Sequence, residues 1–383
     1  MMHRKNVVLV VASVGLAGLL GPIALRIRAQ RRGQSGDDTA SQAAAKTATG
    51  APDKPYEWKA SFAEYKVGKV PRTPDGKPDL QGIWSRTTLV PLQRPLNQDK
   101  TEIDAATAAK REDEAQQKQF QLRTEPTDTP PGEKTTDSYN TYWRDGYWFK
   151  IPMTSLRTSQ VVDPPSGRIP PFTPAAAAAA RERARVTQEL DDRRATSYED
   201  RPIASRCIRP LGSPGPAFTG GGPGGQESTF QIIEGTDAVI VRGENLRSQM
   251  IYLDGRANPA QNVHLQLGAA RGHWDGDTLV VEYTNFSNGN GNDNDEEGGN
   301  GSGHLTARYK RLDDTHLLFG FTRDDPGRTK PYSVEVVFWR LTDQEQLVEY
   351  ACHEGNVGLE FTLSAARAKD REEAEAEAKE HGK

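Results

Sequence analysis

The chain has 383 residues, enough for one large domain or two ordinary ones, and a formal net charge of −4 at pH 7. This small net charge, together with the lack of a basic stretch with interleaved aromatic residues, argues against nucleic acid as a partner. Only 35% of the residues are hydrophobic, so we expect disordered tails and long polar loops around the folded core.

The N-terminus has the organisation of an export signal. A positively charged start, His3–Lys5, precedes an apolar run that extends from Asn6 to Leu25. This order is typical of a secretory signal or a signal-anchor. Residues 1–29 are therefore predicted to be either a signal peptide that is cleaved after Ala29 or a segment that anchors the chain in a membrane. Both alternatives predict an exported protein, periplasmic or extracellular.

The next segments combine a linker with peripheral helices. Residues 30–55 are rich in Ala, Thr, Ser, Gly and charged residues, and they are predicted to be a disordered linker. A single β-rich domain is expected over residues 56–368. Within it, one exposed helix is predicted over residues 99–123, and another begins at Pro174 with Thr173 as its N-cap.

From Thr229 onward the pattern predicts strands. Leu305, Ala307 and Tyr309 alternate with polar residues, and similar short runs are separated by turn sequences such as Asp275–Asp277. The runs cover residues 230–234, 238–242, 247–253, 278–283, 304–312, 317–321, 332–341 and 346–352. They predict a mainly β fold, an antiparallel meander that closes into a lipocalin-like barrel, with a two-layer sandwich as the alternative. Helices are expected only at the periphery, in the N-terminal half and at the C-terminus.

Two polar segments interrupt or follow this pattern. Residues 287–303 contain only Asn, Gly, Asp, Glu and Ser. Because the carboxylates lack the fixed offsets of a helix-loop-helix calcium site, a disordered loop insertion is predicted. Residues 369–383 are charged and rich in alanine, and they are predicted to form a helical tail.

Several motifs together resemble a widespread, functionally uncharacterised family of exported bacterial proteins. The resemblance extends from about Val70 to Ala368 and implies export and a single β-rich domain, without an activity. Two departures from the family pattern are the sequence Val263–Leu265 and the polar insertion. The motifs that carry the resemblance are Thr73–Leu80 with Gly82 and Trp84, Arg157–Pro170, Glu199–Ile208, Gly272–Phe286 and Glu349–Asn356.

Two groups of residues are candidates for ligand binding. Aromatic residues between Ser138 and Phe149 are predicted either to line a ligand groove or to fill the core. Arginines elsewhere are candidates for an anionic ligand, although paired surface arginines are the ordinary alternative. The candidates are Tyr142, Trp143, Arg144, Trp148, Arg157 and Arg247.

The closing motif supplies candidates for acid–base chemistry. Glu349 stands in an apolar run, and His353 and Glu354 follow it; an imidazole titrates near neutral pH, as a general acid or base must. Alternation along a strand places Glu349 and His353 on the same face. The histidine spacings match no zinc signature, so no metal site is predicted, and no cofactor is predicted. Cys207 and Cys352 either form a disulfide or are two buried thiols.

Three functions are compatible with these features. The first is an exported β-barrel that binds a small molecule of unknown identity. The second is an exported hydrolase or lyase that uses Glu349, His353 or Glu354 as acid and base. The third is a structural or partner-binding envelope protein. The sequence leaves the oligomeric state open.

Overall fold

The structure is a computed structural model. It describes residues 56–124, 151–192, 195–201, 206, 228–244, 248–265, 267–286, 303–342, 346–349, 351, 354 and 357–381. The predicted signal segment, the linker, residues 287–302 of the insertion and both cysteines lie outside the described residues.

Nine strands form a closed barrel and a tenth strand adds to its wall. The order of the strands in the sheet is β1-β3-β4-β5-β6-β7-β8-β9-β10, and β10 pairs with β1 to close the barrel, while β2 pairs with β10. The predicted mainly β barrel is therefore confirmed, and the alternative of a sandwich is wrong. The strands are β1 Gly82–Ser85, β2 Val161–Asp163, β3 Thr229–Glu234, β4 Ala238–Gly243, β5 Ser248–Tyr252, β6 Ala269–Asp275, β7 Thr278–Thr284, β8 His304–Arg311, β9 His316–Asp324 and β10 Tyr332–Arg340.

Two details of the predicted meander are wrong. β5 and β6 pair in parallel, with Ile251 opposite Ala270, because the chain returns from the end of β5 to the other end of the barrel before β6 begins. The strand predicted over residues 346–352 is absent from its described positions, 346–349 and 351. The barrel closes through the pairing of Trp84 in β1 with Arg340 in β10, so it needs no strand after β10.

Four α-helices lie outside the barrel wall in the described part of the chain. They are α1 Trp58–Ala63, α2 Ala105–Thr124, α3 Pro174–Asp192 and α4 Val357–His381. The backbone N–H of Ala176 donates to Oγ1 of Thr173 at 3.3 Å, so Thr173 caps α3 as its sequence predicts. The predicted C-terminal helix is confirmed, and it begins earlier than the charged tail.

The barrel interior is packed with aromatic rings over much of its length. The Phe319 ring stacks on Phe338 at a centroid distance of 5.1 Å, and Phe230 meets the edge of Phe338 at 5.0 Å. Tyr309 lies 4.9 Å from Phe319. These rings come from β3, β8, β9 and β10, so one aromatic cluster joins both sides of the β1–β10 closure.

Candidate functional site

A buried arginine closes one end of the barrel, which we call the Arg311 end. Arg311 follows Tyr309 as the next inward position of β8 and is 2% exposed. Its guanidinium lies over the Trp84 ring at 4.6 Å and donates to the backbone carbonyls of Asp79, Asp313 and Asp314 at 2.9, 2.5 and 2.7 Å. These bonds tie the chain before β1 to the β8–β9 turn.

Glu234 is the ionisable side chain at the Arg311 end whose pKa is most displaced toward neutrality. Its Oε2 accepts from the backbone N–H of Leu80 at 2.9 Å. Burial raises the pKa of Glu234 to about 7, the hydrogen bond from Leu80 opposes this, and the nearby Asp79 and Asp75 raise it further. The pKa of Glu234 therefore lies in the physiological range.

We expect this group to give the protein a distinct dependence of stability on pH. The pKa of Glu234 in the folded state lies above its ordinary value of 4.5, so the folded state holds a proton that the unfolded state loses. The free energy of unfolding should then fall as pH rises from about 4.5 to about 7, and change no further above it. Urea unfolding from pH 4.5 to 8 should show a smaller fall for Glu234→Gln than for the wild type. An exposed control, Glu372→Gln, should keep the wild-type fall, and equal slopes for all three proteins would contradict the assignment.

The opposite end, which we call the Arg323 end, contains a buried pair of opposite charges. Arg323 is the inward residue that follows Phe321 in β9 and is 3% exposed. Its Nη2 lies 3.9 Å from Oδ2 of Asp325, and both side chains are almost fully buried. Oδ1 of Asp325 accepts from the N–H of Gly327 at 2.8 Å, whereas Oδ2 has no hydrogen-bond partner.

Gln249 is a buried amide on the opposite wall of the Arg323 end. It lies on the same face of β5 as Ile251, which is fully buried in the core. Met250, between the two, lies on the outer face and is 41% exposed. Gln249 therefore faces the interior. Its Oε1 has no hydrogen-bond partner, and its Nε2 makes one long contact, 3.5 Å to the Met250 carbonyl. A buried amide oxygen without a hydrogen-bond donor costs folding free energy. The unsatisfied oxygen of Gln249 is therefore the strongest indication of a ligand site.

Two tyrosine hydroxyls lie deeper in the same interior. Tyr283 and Tyr309 are at most 1% exposed, and their hydroxyl oxygens are 3.5 Å apart. Burial raises the pKa of both phenols above the usual range, so both stay neutral donors and acceptors at every physiological pH. The barrel interior thus contains neutral hydrogen-bonding groups between its apolar walls.

A separate polar cluster lies on the outer wall, under the segment Tyr56–Tyr65. The side chain of Glu335 in β10 is fully buried; Tyr56 and Tyr65 donate to its two oxygens at 2.5 and 3.0 Å. Burial and the charge of Glu335 raise the pKa of both tyrosines. The ring of Phe62 lies over Gly320, where an added Cβ would come within 2.9 Å of it. These contacts hold the segment against the barrel.

The neighbouring strands extend this cluster toward solvent. Nε2 of His304 lies 2.5 Å from Oε2 of Glu282, which also accepts from Thr306 at 3.0 Å. The hydrogen bond to Glu282 raises the pKa of His304. Arg308 donates to Oγ1 of Thr322 at 3.2 Å, its guanidinium lies over the Trp58 ring at 5.1 Å, and burial lowers its pKa. His304 and Glu282 compensate each other, whereas Nε of the buried Arg308 has no hydrogen-bond partner.

The structure places only some of the candidates that the sequence suggested. Arg157 lies in the outer-wall cluster, with its Nη2 at 2.9 Å from Glu64 and 3.8 Å from Glu335, and it does not face the interior. Glu349 and Glu354 are exposed. Because Glu349 is not in a strand, alternation no longer places it beside His353. The remaining candidates lie outside the described residues: Tyr142, Trp143, Arg144, Trp148, Arg247, His353, Cys207 and Cys352.

Sequence reasoning missed Gln249, Arg323 and Glu335, although each carries a signal. Gln249 occupies the inward position two residues before Ile251, and Arg323 continues the inward series of Phe319 and Phe321. Glu335 is a carboxylate inside an apolar strand. Extending the alternation to the ends of β5 and β9 identifies Gln249 and Arg323, and the apolar neighbours of Glu335 identify it as a buried carboxylate.

The fold defines the protein as a closed, mixed β-barrel with one additional strand. No protein-family model, curated protein or solved structure matches the chain. Among the residues that the structure describes, no group of three or more His, Cys, Asp or Glu side chains is arranged to hold a metal ion. None of the helices in the same part of the chain is both long and apolar enough to cross a membrane.

Proposed function

We propose that the protein binds a small molecule in the barrel interior at the Arg323 end. The observation that carries this proposal is Gln249, a buried inward amide whose oxygen has no partner. Small-molecule sites in barrels are mostly apolar, lie near the mouth, and contain a few polar groups that fix the ligand. The Arg323 end has this composition: apolar walls, and a buried amide whose oxygen has no hydrogen-bond partner.

N-phenyl-1-naphthylamine, a neutral fluorescent probe with one N–H donor, tests this proposal. The purified protein should enhance its fluorescence in a saturable way. Gln249→Phe, which fills the interior, should weaken probe binding by about tenfold or more, a loss of at least about 1.4 kcal/mol. Met250→Phe makes the same substitution on the outer face of the same strand and should leave the affinity unchanged. Equal affinities for the two variants, or no saturable binding by the wild type, would contradict the proposal.

We further propose that the protein is exported and belongs to the exported family that its motifs resemble. The charged and apolar segment of residues 1–29 supports export. Fractionation of a bacterial host, followed by N-terminal sequencing, distinguishes cleavage after Ala29 from retention of a membrane anchor. Recovery of the intact chain only from the cytosol would contradict export.

A further inference from the structure

We infer that the ligand at the Arg323 end is an uncharged, largely apolar molecule that binds Gln249 through a hydroxyl group. This inference rests on the proposed function and specifies the chemical class of the ligand. It follows from three features of the interior: the hydrogen-bonding needs of one amide, the balance of buried charge, and the nature of the surrounding walls.

The amide of Gln249 determines the polar group of the ligand. In the structure Oε1 lacks a donor, and Nε2 has only the 3.5 Å contact to the carbonyl of Met250. If the amide is turned by 180°, the unpaired position becomes a donor that lacks an acceptor. A hydroxyl group both donates and accepts, so it satisfies Gln249 in either orientation. A carboxylate, a ketone or an ether accepts only, so it could pair with Gln249 only if the amide were turned, which would bring Oε1 against the carbonyl of Met250.

Charge balance argues against an ionised ligand. Arg323 and Asp325 face this end with opposite charges, 3.9 Å apart, so together they supply no net charge. Oδ2 of Asp325, which accepts no hydrogen bond, would repel an anion. Glu244, near the same end, accepts from the N–H of Thr229 at 2.9 Å. An anion transferred from water to this site would lose its hydration without gaining a free counter-charge, and a cation would meet only carboxylates that already have partners, Asp325 beside Arg323 and Glu244 on the N–H of Thr229.

The walls determine the rest of the ligand. Ile251, Leu305, Phe321 and Tyr332 are at most 4% exposed and belong to one hydrophobic cluster. The hydroxyls of Tyr283 and Tyr309 stay neutral and offer further hydrogen bonds without adding charge. An aromatic or alicyclic alcohol, or a phenol, matches these walls because its ring is buried while its hydroxyl meets a polar partner.

Three ligands with one ring system test the inference: 2-naphthol, 2-naphthoate and naphthalene. Each is measured at pH 7 by displacement of N-phenyl-1-naphthylamine and by the rise in Tm. We expect 2-naphthol to bind about tenfold tighter than naphthalene, about 1.4 kcal/mol, and 2-naphthoate to bind more weakly than either. In Gln249→Leu the affinity for 2-naphthol divided by that for naphthalene should fall to about one, while naphthalene still binds.

Stability of the ligand-free protein separates a binding role of Gln249 from a structural one. Leucine removes the unsatisfied amide while preserving approximate size, so Gln249→Leu should raise Tm without ligand. A lowered Tm would indicate that Gln249 serves the fold and would overturn the inference. Tighter binding of 2-naphthoate, or equal binding of naphthalene and 2-naphthol, would overturn the ligand class but leave the proposed function standing. Failure of all three ligands and the fluorescent probe to bind would refute the proposed function itself.

Discussion

Glu335→Ala is expected to lower the free energy of unfolding by about 3–5 kcal/mol. The glutamate side chain is fully buried and accepts from both Tyr56 and Tyr65. Its removal leaves two buried hydroxyls without their acceptor. It also removes the negative charge 3.8 Å from Arg157. The buried guanidinium of Arg308 loses part of the negative charge that balances it. Urea denaturation of the wild type and the variant measures the difference.

Two further variants separate the charge of Glu335 from its hydrogen bonds. Glu335→Gln retains one acceptor and removes the charge, so it should cost less, about 1–3 kcal/mol. Tyr56→Phe combined with Glu335→Ala should cost less than the sum of the single losses, because the two side chains act together. Glu372→Ala on the exposed face of α4 should change the stability by less than about 0.5 kcal/mol. A loss below about 1 kcal/mol for Glu335→Ala would show that the cluster contributes little.

Much of the barrel could be predicted because its strands have one apolar face. Leu305, Ala307 and Tyr309 face the interior, as a two-residue period requires. The turn at Gly276 has a positive φ of 59°, which a tight hairpin uses. The parallel pairing of β5 and β6 could not be predicted in this way. It depends on the path of the connection after β5, residues 253–265, which have no regular hydrophobic period. Individual contacts hold this connection, such as the 2.9 Å hydrogen bond from Arg271 to the carbonyl of Ala257.

The candidate site was less accessible to sequence reasoning because it depends on which strands become neighbours. The argument that a carboxylate inside an apolar run marks a buried group was applied to Glu349, which is exposed. The same argument applies correctly to Glu335, three residues into β10. Gln249 and Arg323 are four strands apart in the sheet order, and only closure of the barrel turns both toward one interior. Alternation identifies inward residues, but closure decides which of them share an end.

Phe319→Ala is expected to cost about 3–5 kcal/mol, because it removes a fully buried ring from the centre of the aromatic cluster. Phe338 and Tyr309, at centroid distances of 5.1 and 4.9 Å, would each lose one ring contact. The matched control is Phe361→Ala on α4, where the same ring is 66% exposed and the cost should stay near or below about 0.5 kcal/mol. Urea denaturation compares the two, and equal costs would contradict the assignment of Phe319 to the core.

The cavity left by Phe319→Ala also tests whether the apolar cluster and the Gln249 site are independent. An apolar cavity stays dry and accepts a small aromatic molecule, so toluene should raise the Tm of Phe319→Ala more than that of the wild type. Toluene lacks a hydroxyl, so this rise does not depend on Gln249 and should persist in a Phe319→Ala and Gln249→Leu double variant. The preference for 2-naphthol over naphthalene should persist in Phe319→Ala and disappear only with Gln249. If Phe319→Ala removes that preference while the protein remains folded, the two regions form one site, and the hydroxyl is recognised by the tyrosine pair beside Phe319 instead of by the amide.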